Sequence, residues 1–206
     1  MHWPHITSLA GLTVFAYLLG AVPFGLILVK WLKSVDLRQT GSGNIGATNA
    51  GRTGGWPLGL LTLVLDVSKG ALPVYLSALA FPESAGTARF LAVALTAVGA
   101  FSGHLFPIYL KFKTGGKGVA TAAGCFFVIS PVSLIISSVV FIIVTALSKR
   151  VSVGSMAAAA SLPLAVLWIE QVWITVGCAT VIALLIIIRH RDNIRRLRAG
   201  TEPTIR

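Results

Sequence analysis

Long apolar stretches dominate the chain and predict helices that cross a membrane. A helix needs about 20 mainly apolar residues to span roughly 30 Å of hydrocarbon, because each residue adds about 1.5 Å. The stretches that meet this requirement are 9–31, 56–81, 88–110, 151–169 and 172–188. Only Glu170 and Gln171 separate the last two stretches, which predicts a helical hairpin there.

The stretch 118–148 carries no charge and is interrupted only by Ser130 and Pro131, so it fits either one tilted span or two. Lys and Arg on short loops stay on the cytoplasmic side of a membrane. With two spans, and with Lys69 assigned to the same half of the bilayer, only Arg89 lies opposite the other basic residues. The other basic residues form four clusters on the cytoplasmic side: Lys30, Lys33, Arg38 and Arg52; Lys111, Lys113 and Lys117; Lys149 and Arg150; and Arg189, Arg191, Arg195, Arg196, Arg198 and Arg206.

We therefore predict an all-α polytopic membrane protein with seven transmembrane helices, forming a single domain over residues 1–206. Its N-terminus would be periplasmic or extracellular and its C-terminus cytoplasmic. One helix within 118–148 must be short, because about thirteen residues reach only about 20 Å, or the bilayer must be thin there.

Composition supports the membrane assignment. The chain has 206 residues, of which 55% are hydrophobic and 11% charged, against roughly 25% charged in a soluble domain. Its net charge of +11 fits either nucleic acid or a membrane surface. Because the basic residues cluster beside the spans, we predict membrane lipids and not nucleic acid as partners. Cys125 and Cys178 lie in apolar runs and match no metal or disulfide spacing.

The segment 41–52, GSGNIGATNAGR, is the first candidate site. Glycines allow successive backbone N–H groups to face an anion, hydroxyls add donors, and arginine binds phosphate through two N–H groups. The alternative is a flexible polar loop. Asn44, Asn49 and Arg52 favour phosphate binding over that alternative. The candidate phosphate-binding residues are Ser42, Gly43, Asn44, Thr48, Asn49 and Arg52.

The second predicted span contains Asp66 and Lys69, which share one helical face. Each charge is costly in hydrocarbon unless it is paired or faces a wet cavity. One interpretation is a structural ion pair; the other is that Asp66 orients Lys69 or an arginine at the site. Gly70 and Pro73 suggest a kink that leaves backbone groups available.

The third candidate site is Gly115-Gly116-Lys117-Gly118, which precedes an apolar helix. It resembles part of a P-loop, but the upstream glycine spacing is wrong and no strand precedes it, so we reject a nucleotide triphosphatase. Backbone donors at a helix N-terminus and a lysine still predict an anion site. His104, near the membrane boundary, is a supporting residue that is either a hydrogen-bonded structural group or a base.

A basic segment, 189–198, follows the last predicted span. Such juxtamembrane helices commonly bind anionic lipid headgroups, and we assign most of its arginines to that role. Attraction to lipid headgroups does not account for His190 and Asn193, so these two residues are candidates for substrate contact. If the helix continues, they share one face with Arg189.

The predicted topology places all four clusters on the cytoplasmic side, which favours a basic pocket for an anion with an apolar partner. Metal catalysis needs several carboxylates, and Asp66 is the one intramembrane carboxylate of the sequence. The position that an acyltransferase dyad would need after His104 holds Tyr109, and no Gly-x-Ser-x-Gly elbow occurs. An enzyme of this kind would orient and charge-stabilise an activated substrate.

The chain resembles the bacterial integral-membrane glycerol-3-phosphate acyltransferases that use acyl phosphate as donor. The matching blocks are GSGNIGATNxxR (41–52), DxxKGAxP (66–73), GHxFP with GGKGVAT (103–121) and RHxxNIxRL (189–197). The resemblance implies transfer of a fatty acyl group to the 1-hydroxyl of sn-glycerol 3-phosphate, giving lysophosphatidic acid and phosphate. It implies seven spans, no cofactor or metal, and a site facing the cytoplasm in the inner membrane of a bacterium, with an acyl-phosphate synthase as a possible functional partner.

The resemblance also implies residue roles. Ser42, Asn44, Thr48 and Arg52 would hold phosphate, and Lys117 with the Gly115-Gly116 backbone would hold the second phosphate. His190 and Asn193 would position the glycerol moiety. A substrate phosphate or His190 would accept the hydroxyl proton. The alternative from another class is a transporter of an organic phosphate anion, which inverted repeats would favour.

Overall fold

The computed structural model describes residues 3–205, and Arg206, which belongs to the last predicted basic cluster, lies outside the described residues. The described part of the chain is helical, with short 3-10 turns between some helices. It forms two compact units, Met1–Val128 and Ile129–Arg206. The helices are α1 (Trp3–Gly20), α2 (Phe24–Lys33), α3 (Ala47–Gly54), α4 (Trp56–Ala80), α5 (Thr87–Leu105), α6 (Val119–Ile129), α7 (Pro131–Ser148), α8 (Val151–Ile169), α9 (Trp173–Arg189) and α10 (Arg191–Arg198).

Five segments of the described chain are long and apolar enough to cross a membrane: Thr7–Lys33, Trp56–Ala80, Thr87–Leu110, Pro131–Ser148 and Val151–Ile169. A sixth is obtained if α9 and α10, which are bent by 50° at His190, count as one span. The all-α membrane fold is therefore confirmed, with five or six candidate spans where the sequence predicts seven.

The uncharged stretch 118–148 contains two helices, as predicted. Helix α6 ends before Ser130 and α7 begins at Pro131, because proline lacks an N–H and is tolerated at the first helical position. Helix α6 has 11 residues, a length of only about 16 Å. Its shortness is the reason why it does not count among the helices long enough to span.

Proline also interrupts the first apolar stretch. Helix α1 ends at Gly20 and α2 begins at Phe24, immediately after Pro23. Helix α4, by contrast, continues from Trp56 to Ala80 through Pro73. The second span is therefore unbroken, and the kink suggested at Gly70 and Pro73 stays a prediction. The break lies in the first span, where the Val22 carbonyl receives a hydrogen bond from Lys69 Nζ at 2.8 Å.

Small residues allow close helix packing in the first unit. A Cβ at Gly20 would overlap the backbone carbonyl of Ala100, and one at Gly103 would overlap that of Tyr17. Without a hydrophobic driving force in lipid, such close approach supplies the dispersion contacts that hold helices together. Helices α1 and α5 pack together through these positions.

Arg89, the basic residue predicted on the non-cytoplasmic side, binds the end of a neighbouring helix. Its guanidinium donates to the carbonyls of Ala78 and Phe81, the latter at 2.6 Å. These carbonyls belong to the C-terminal end of α4, which carries the negative end of the helix dipole. The exception to the predicted charge bias therefore has a structural explanation.

In the second unit, α8 packs against both α7 and α9. The turn between α8 and α9 has Gln171 in a left-handed conformation, with φ of 54°. Trp168 and Trp173 flank this turn and are largely exposed. Exposed tryptophans at helix ends are typical of a membrane–water interface.

Candidate active site

The first glycine-rich loop, 41–46, is organised around the buried side chain of Asn49, near the start of α3. Asn49 Oδ1 accepts a hydrogen bond from the Ser42 N–H at 3.1 Å. Its Nδ2 group lies 2.9–3.1 Å from the carbonyl oxygens of Leu37, Thr40 and Asn44. One buried amide therefore binds backbone groups on both sides of the loop.

The turns of this loop require glycine. Gly41 and Gly43 have φ values of 57° and 69°, which disfavour residues with a Cβ. A Cβ at Gly41 would also overlap Asn49 Oδ1. Asn44 Oδ1 accepts the Gly46 N–H at 2.9 Å, just before α3 begins.

The outer face of the loop carries the predicted anion-binding side chains. Ser42, Thr48 and Arg52 are exposed, whereas Asn49 is only 2% exposed. Arg52 lies in the last turn of α3 and makes no ion pair within residues 3–205. The exposed hydroxyls and guanidinium can therefore meet a ligand while Asn49 supports the backbone beneath them.

Asp36 and Arg38 precede this loop and were not singled out from the sequence. The Arg38 guanidinium lies 2.5 Å from the Asp36 carboxylate, and the Arg38 N–H also donates to it. These hydrogen bonds lower the pKa of Asp36 to about 2. An Asp followed two residues later by Arg before a turn was the available sequence signal.

The second loop, 114–118, leads into α6 and rests on the end of α5. The Gly116 N–H donates to the His104 carbonyl at 3.0 Å. A Cβ at Gly115 would overlap the Leu105 carbonyl, and Gly118 has φ of 81°. Lys117 is half-buried at the start of α6, where backbone N–H groups and the helix dipole favour an anion.

One hydrophobic cluster joins the surroundings of both loops. Ile45 and Ala50 bring the first loop and α3 into it, and Leu110, from the turn before the second loop, packs against it. The members are Leu26, Val29, Leu37, Ile45, Ala50 and Leu58, with Val35 and Leu110 partly buried against them. The first loop and α3 therefore belong to this cluster, and the chain leaves it at Leu110, four residues before the second loop begins.

Asp66, Lys69 and His104 lie together in the interior of the same unit. Lys69 Nζ lies 2.8 Å from Asp66 Oδ1, and His104 Nδ1 lies 3.8 Å from the same oxygen. All three residues are at most 4% exposed. The ion pair, one of the two interpretations of the sequence, is thus present, and His104 lies beside it. Within residues 3–205, no three His, Cys, Asp or Glu side chains lie together as a metal site would require.

His190 and Asn193 belong to the second unit. His190 is buried at the 50° bend between α9 and α10, with Nδ1 2.8 Å from the Ile186 carbonyl. Asn193 Nδ2 donates to Glu202 Oε1 at 2.6 Å. Asn193 Oδ1 is buried and has no hydrogen-bond partner within the described residues.

Glu202 was missed from the sequence, although it is the lone acidic residue after a strongly basic helix. Its carboxylate accepts hydrogen bonds from Ser152 Oγ at 2.6 Å and Arg196 Nε at 2.7 Å, besides that from Asn193. Burial alone would raise the pKa of Glu202, but the three hydrogen bonds outweigh it and lower the pKa below its usual value. Glu202 therefore fixes the side-chain amide of Asn193 in one orientation.

The chain matches the family model described as Glycerol-3-phosphate acyltransferase over residues 10–200. It is 45% identical to a glycerol-3-phosphate acyltransferase of Geotalea daltonii, covering 96% of this chain and 97% of the relative. It is 46% identical to one of Geobacter sulfurreducens, covering 93% and 94%.

Two solved structures have the same fold. One is PlsY (YgiH), an integral membrane glycerol 3-phosphate acyltransferase, in its glycerol 3-phosphate form, with a TM-score of 0.90 and 37% identity, covering 97% of this chain and 96% of that one. The other is the lysophosphatidic acid form of PlsY, with a TM-score of 0.87 and 36% identity over the same shares. Together with the family model, these relatives show that the chain belongs to the integral-membrane glycerol-3-phosphate acyltransferase family.

Proposed function

We propose that this acyltransferase takes its acyl group from acyl phosphate and transfers it to the 1-hydroxyl of sn-glycerol 3-phosphate. The products are lysophosphatidic acid and inorganic phosphate, the first step of bacterial phospholipid synthesis. The observation that carries the proposal is the presence of two glycine-rich loops in the first unit, one followed by Arg52 in α3 and one that contains Lys117. Two phosphorylated substrates need two such anion-binding elements.

Acyl phosphate is a mixed anhydride and needs little chemical activation. The 1-hydroxyl oxygen attacks the carbonyl carbon, a new ester C–O bond forms, and the bond from that carbon to the phosphate oxygen breaks. The hydroxyl proton passes to a substrate phosphate, with His190 as the alternative acceptor. The protein then acts by orienting both substrates and stabilising their charge.

We assign the residues as follows. Ser42, Asn44, Thr48 and Arg52 hold one phosphate with the backbone of the first loop, and Lys117 with the Gly115-Gly116 backbone holds the other. Asn193 and His190 position the glycerol moiety, and we assign the buried Asn193 Oδ1 atom, which Glu202 does not bind, as the acceptor of a substrate hydroxyl. Gly43 and Asn49 belong to the same phosphate loop.

We further propose seven crossings of the bacterial inner membrane, with the N-terminus outside and the site facing the cytoplasm. The seventh crossing is the short α6, which a locally thin bilayer would accommodate. The distribution of Lys and Arg supports this topology. The family match over residues 10–200 supports one functional domain, supplied with acyl phosphate by a separate synthase. An organic phosphate transporter is not favoured, because the relatives are acyltransferases.

The proposed donor is tested by supplying purified protein in detergent with glycerol 3-phosphate and one of three donors: acyl phosphate, acyl-CoA or acylated acyl carrier protein. We expect lysophosphatidic acid and an equal amount of released phosphate with acyl phosphate only. A transporter would produce neither in detergent. Equal product formation from acyl-CoA would contradict the proposed donor while leaving the acyltransferase activity intact.

A further inference from the structure

His104 lies between the buried ion pair of α4 and the second glycine-rich loop. One edge of its imidazole faces Asp66, with Nδ1 3.8 Å from Asp66 Oδ1. The opposite edge faces Gly116, since a Cβ on Gly116 would overlap His104 Nε2. The Gly116 N–H also donates to the His104 carbonyl at 3.0 Å. The imidazole therefore lies between Asp66 and Gly116, two residues that belong to separate candidate sites in the sequence.

Asp66 is itself paired with Lys69 of the same helix. Lys69 Nζ lies 2.8 Å from Asp66 Oδ1 and donates to the Val22 carbonyl at 2.8 Å, with the Phe24 ring centroid 5.6 Å away. The Val22 carbonyl lies in the break between α1 and α2, where it also accepts the Phe24 N–H at 3.1 Å. The ion pair thus connects the break in the first apolar stretch to the imidazole.

We propose that His104 is a positioning residue for the Gly115–Lys117 loop, with its imidazole as the surface on which Gly116 rests. Asp66, held by Lys69, fixes the orientation of that ring. The inference depends on the proposed phosphate-binding role of Lys117. A loop held in this way presents its N–H groups and the Lys117 ammonium in one geometry, and a displacement of about 1 Å at such a site costs up to about a hundredfold in rate.

The contact explains why position 116 is glycine. A methyl group there meets the imidazole, so the loop must move away from α5 or the ring must turn away from Asp66. Shortening the side chain at 104 makes room for that methyl group. A shorter side chain at position 104 should therefore restore part of the activity lost by adding a methyl group at position 116, which substitutions at two independent positions would not do.

The test measures kcat and KM of Gly116→Ala, His104→Asn and the double variant, with thermal unfolding as a check on folding. Asn at 104 keeps an amide near the Nδ1 position facing Asp66 and removes the edge that faces Gly116. We expect Gly116→Ala to lower kcat/KM about tenfold or more, and the double variant to recover about fivefold of this loss. His104→Asn should raise KM for the same phosphorylated substrate whose KM rises in Lys117→Ala.

Gly115→Ala is the matched control, because its Cβ would overlap the Leu105 backbone and not His104. Its defect should not be relieved by His104→Asn. No recovery in the Gly116 double variant, or equal recovery in the Gly115 one, would overturn the inference, as would a loss of kcat alone in His104→Asn. Normal KM and kcat in Lys117→Ala would instead reject the proposed function of the loop.

Discussion

At the scale of single residues, burial separates side chains that the sequence grouped together. Ser42, Thr48 and Arg52 are exposed, whereas Asn49 is buried with its amide bonded to the loop backbone. Residue type alone predicts phosphate binding for all four. The structure adds that Asn49 supports the loop, while its direct contact with phosphate stays a prediction.

Asn49→Asp should disrupt the first loop while changing few atoms. Aspartate keeps an acceptor for the Ser42 N–H but places a second oxygen against the carbonyls of Thr40 and Asn44. A buried unsatisfied group costs about 1–3 kcal/mol, so we expect kcat/KM to fall roughly tenfold to a hundredfold. Steady-state kinetics measure the change.

Gln39→Glu is the control for Asn49→Asp, because it adds the same charge to an exposed side chain near the loop. We expect activity within about twofold of the parent protein, since exposed charges interact weakly. A similar loss of activity in both variants would show that charge, and not the hydrogen bonds of Asn49, sets the effect.

Arg52→Ala and Lys117→Ala should each lower kcat/KM at least about a hundredfold, since each removes a charge-assisted phosphate contact. Lys113→Ala removes an exposed lysine near the second loop and serves as the control. Phosphate release from acyl phosphate in the presence of glycerol 3-phosphate measures all three. Near-normal turnover of both the Arg52 and the Lys117 variants would reject the proposed site.

At the scale of helices, several buried polar side chains bind where a helix ends or bends. Lys69 donates to the Val22 carbonyl at the Pro23 break, and His190 lies at the bend between α9 and α10. After α10, the C-terminal segment returns to the start of α8, where the Ile205 N–H donates to the Lys149 carbonyl at 2.8 Å. Glu202 joins Ser152 of α8 to Asn193 and Arg196 of α10.

Glu202→Gln should destabilise the second unit, because it replaces a carboxylate that is hydrogen-bonded to an arginine. We expect a loss of about 2 kcal/mol in the free energy of unfolding. Since the pKa of Glu202 is lowered in the folded protein, its contribution is complete above the unfolded pKa of about 4.3. It is lost as pH falls through the folded pKa.

Thermal unfolding in detergent between about pH 3 and 7 measures this dependence, which should be weaker in Glu202→Gln than in the parent. Asp36→Asn is the comparison, because Asp36 also has a lowered pKa but pairs with an exposed arginine. Such surface pairs contribute little, so its unfolding profile should change less. An unchanged pH dependence in Glu202→Gln would contradict the role assigned to this carboxylate.

At the scale of the whole molecule, the number of crossings depends on α6. Its 11 residues are too few for an ordinary bilayer, yet charge distribution favours a crossing there. If α6 does not cross, every loop after it changes sides. The side of the membrane on which the loops after α6 lie therefore distinguishes seven crossings from six.

Single cysteines at exposed positions test the topology in intact cells with a membrane-impermeant maleimide. We expect Ser84→Cys and Gln171→Cys to react from outside, and Lys113→Cys and Arg198→Cys only after permeabilisation. The native Cys125 and Cys178 are buried and should give little background. Labelling of Arg198→Cys but not Gln171→Cys from outside would establish that α6 does not cross.

The sequence alone determined the membrane class, most helix positions and the residue types of the anion-binding loops. Apolar length and glycine-rich segments are local properties that can be counted along the chain. The break at Ser130 and Pro131 is present in the structure. Asp66 and Lys69, for which an ion pair was one of two interpretations, are in contact.

Tertiary structure decided the partners of the polar side chains, because hydrogen bonds join residues far apart in sequence. It placed His104 beneath Gly116, bound Lys69 to the carbonyl at the Pro23 break, and brought Glu202 back to Ser152 and Asn193. Composition and spacing carry no information on such contacts. A buried polar group must find a partner wherever folding brings one within reach, and only the folded backbone fixes which one that is.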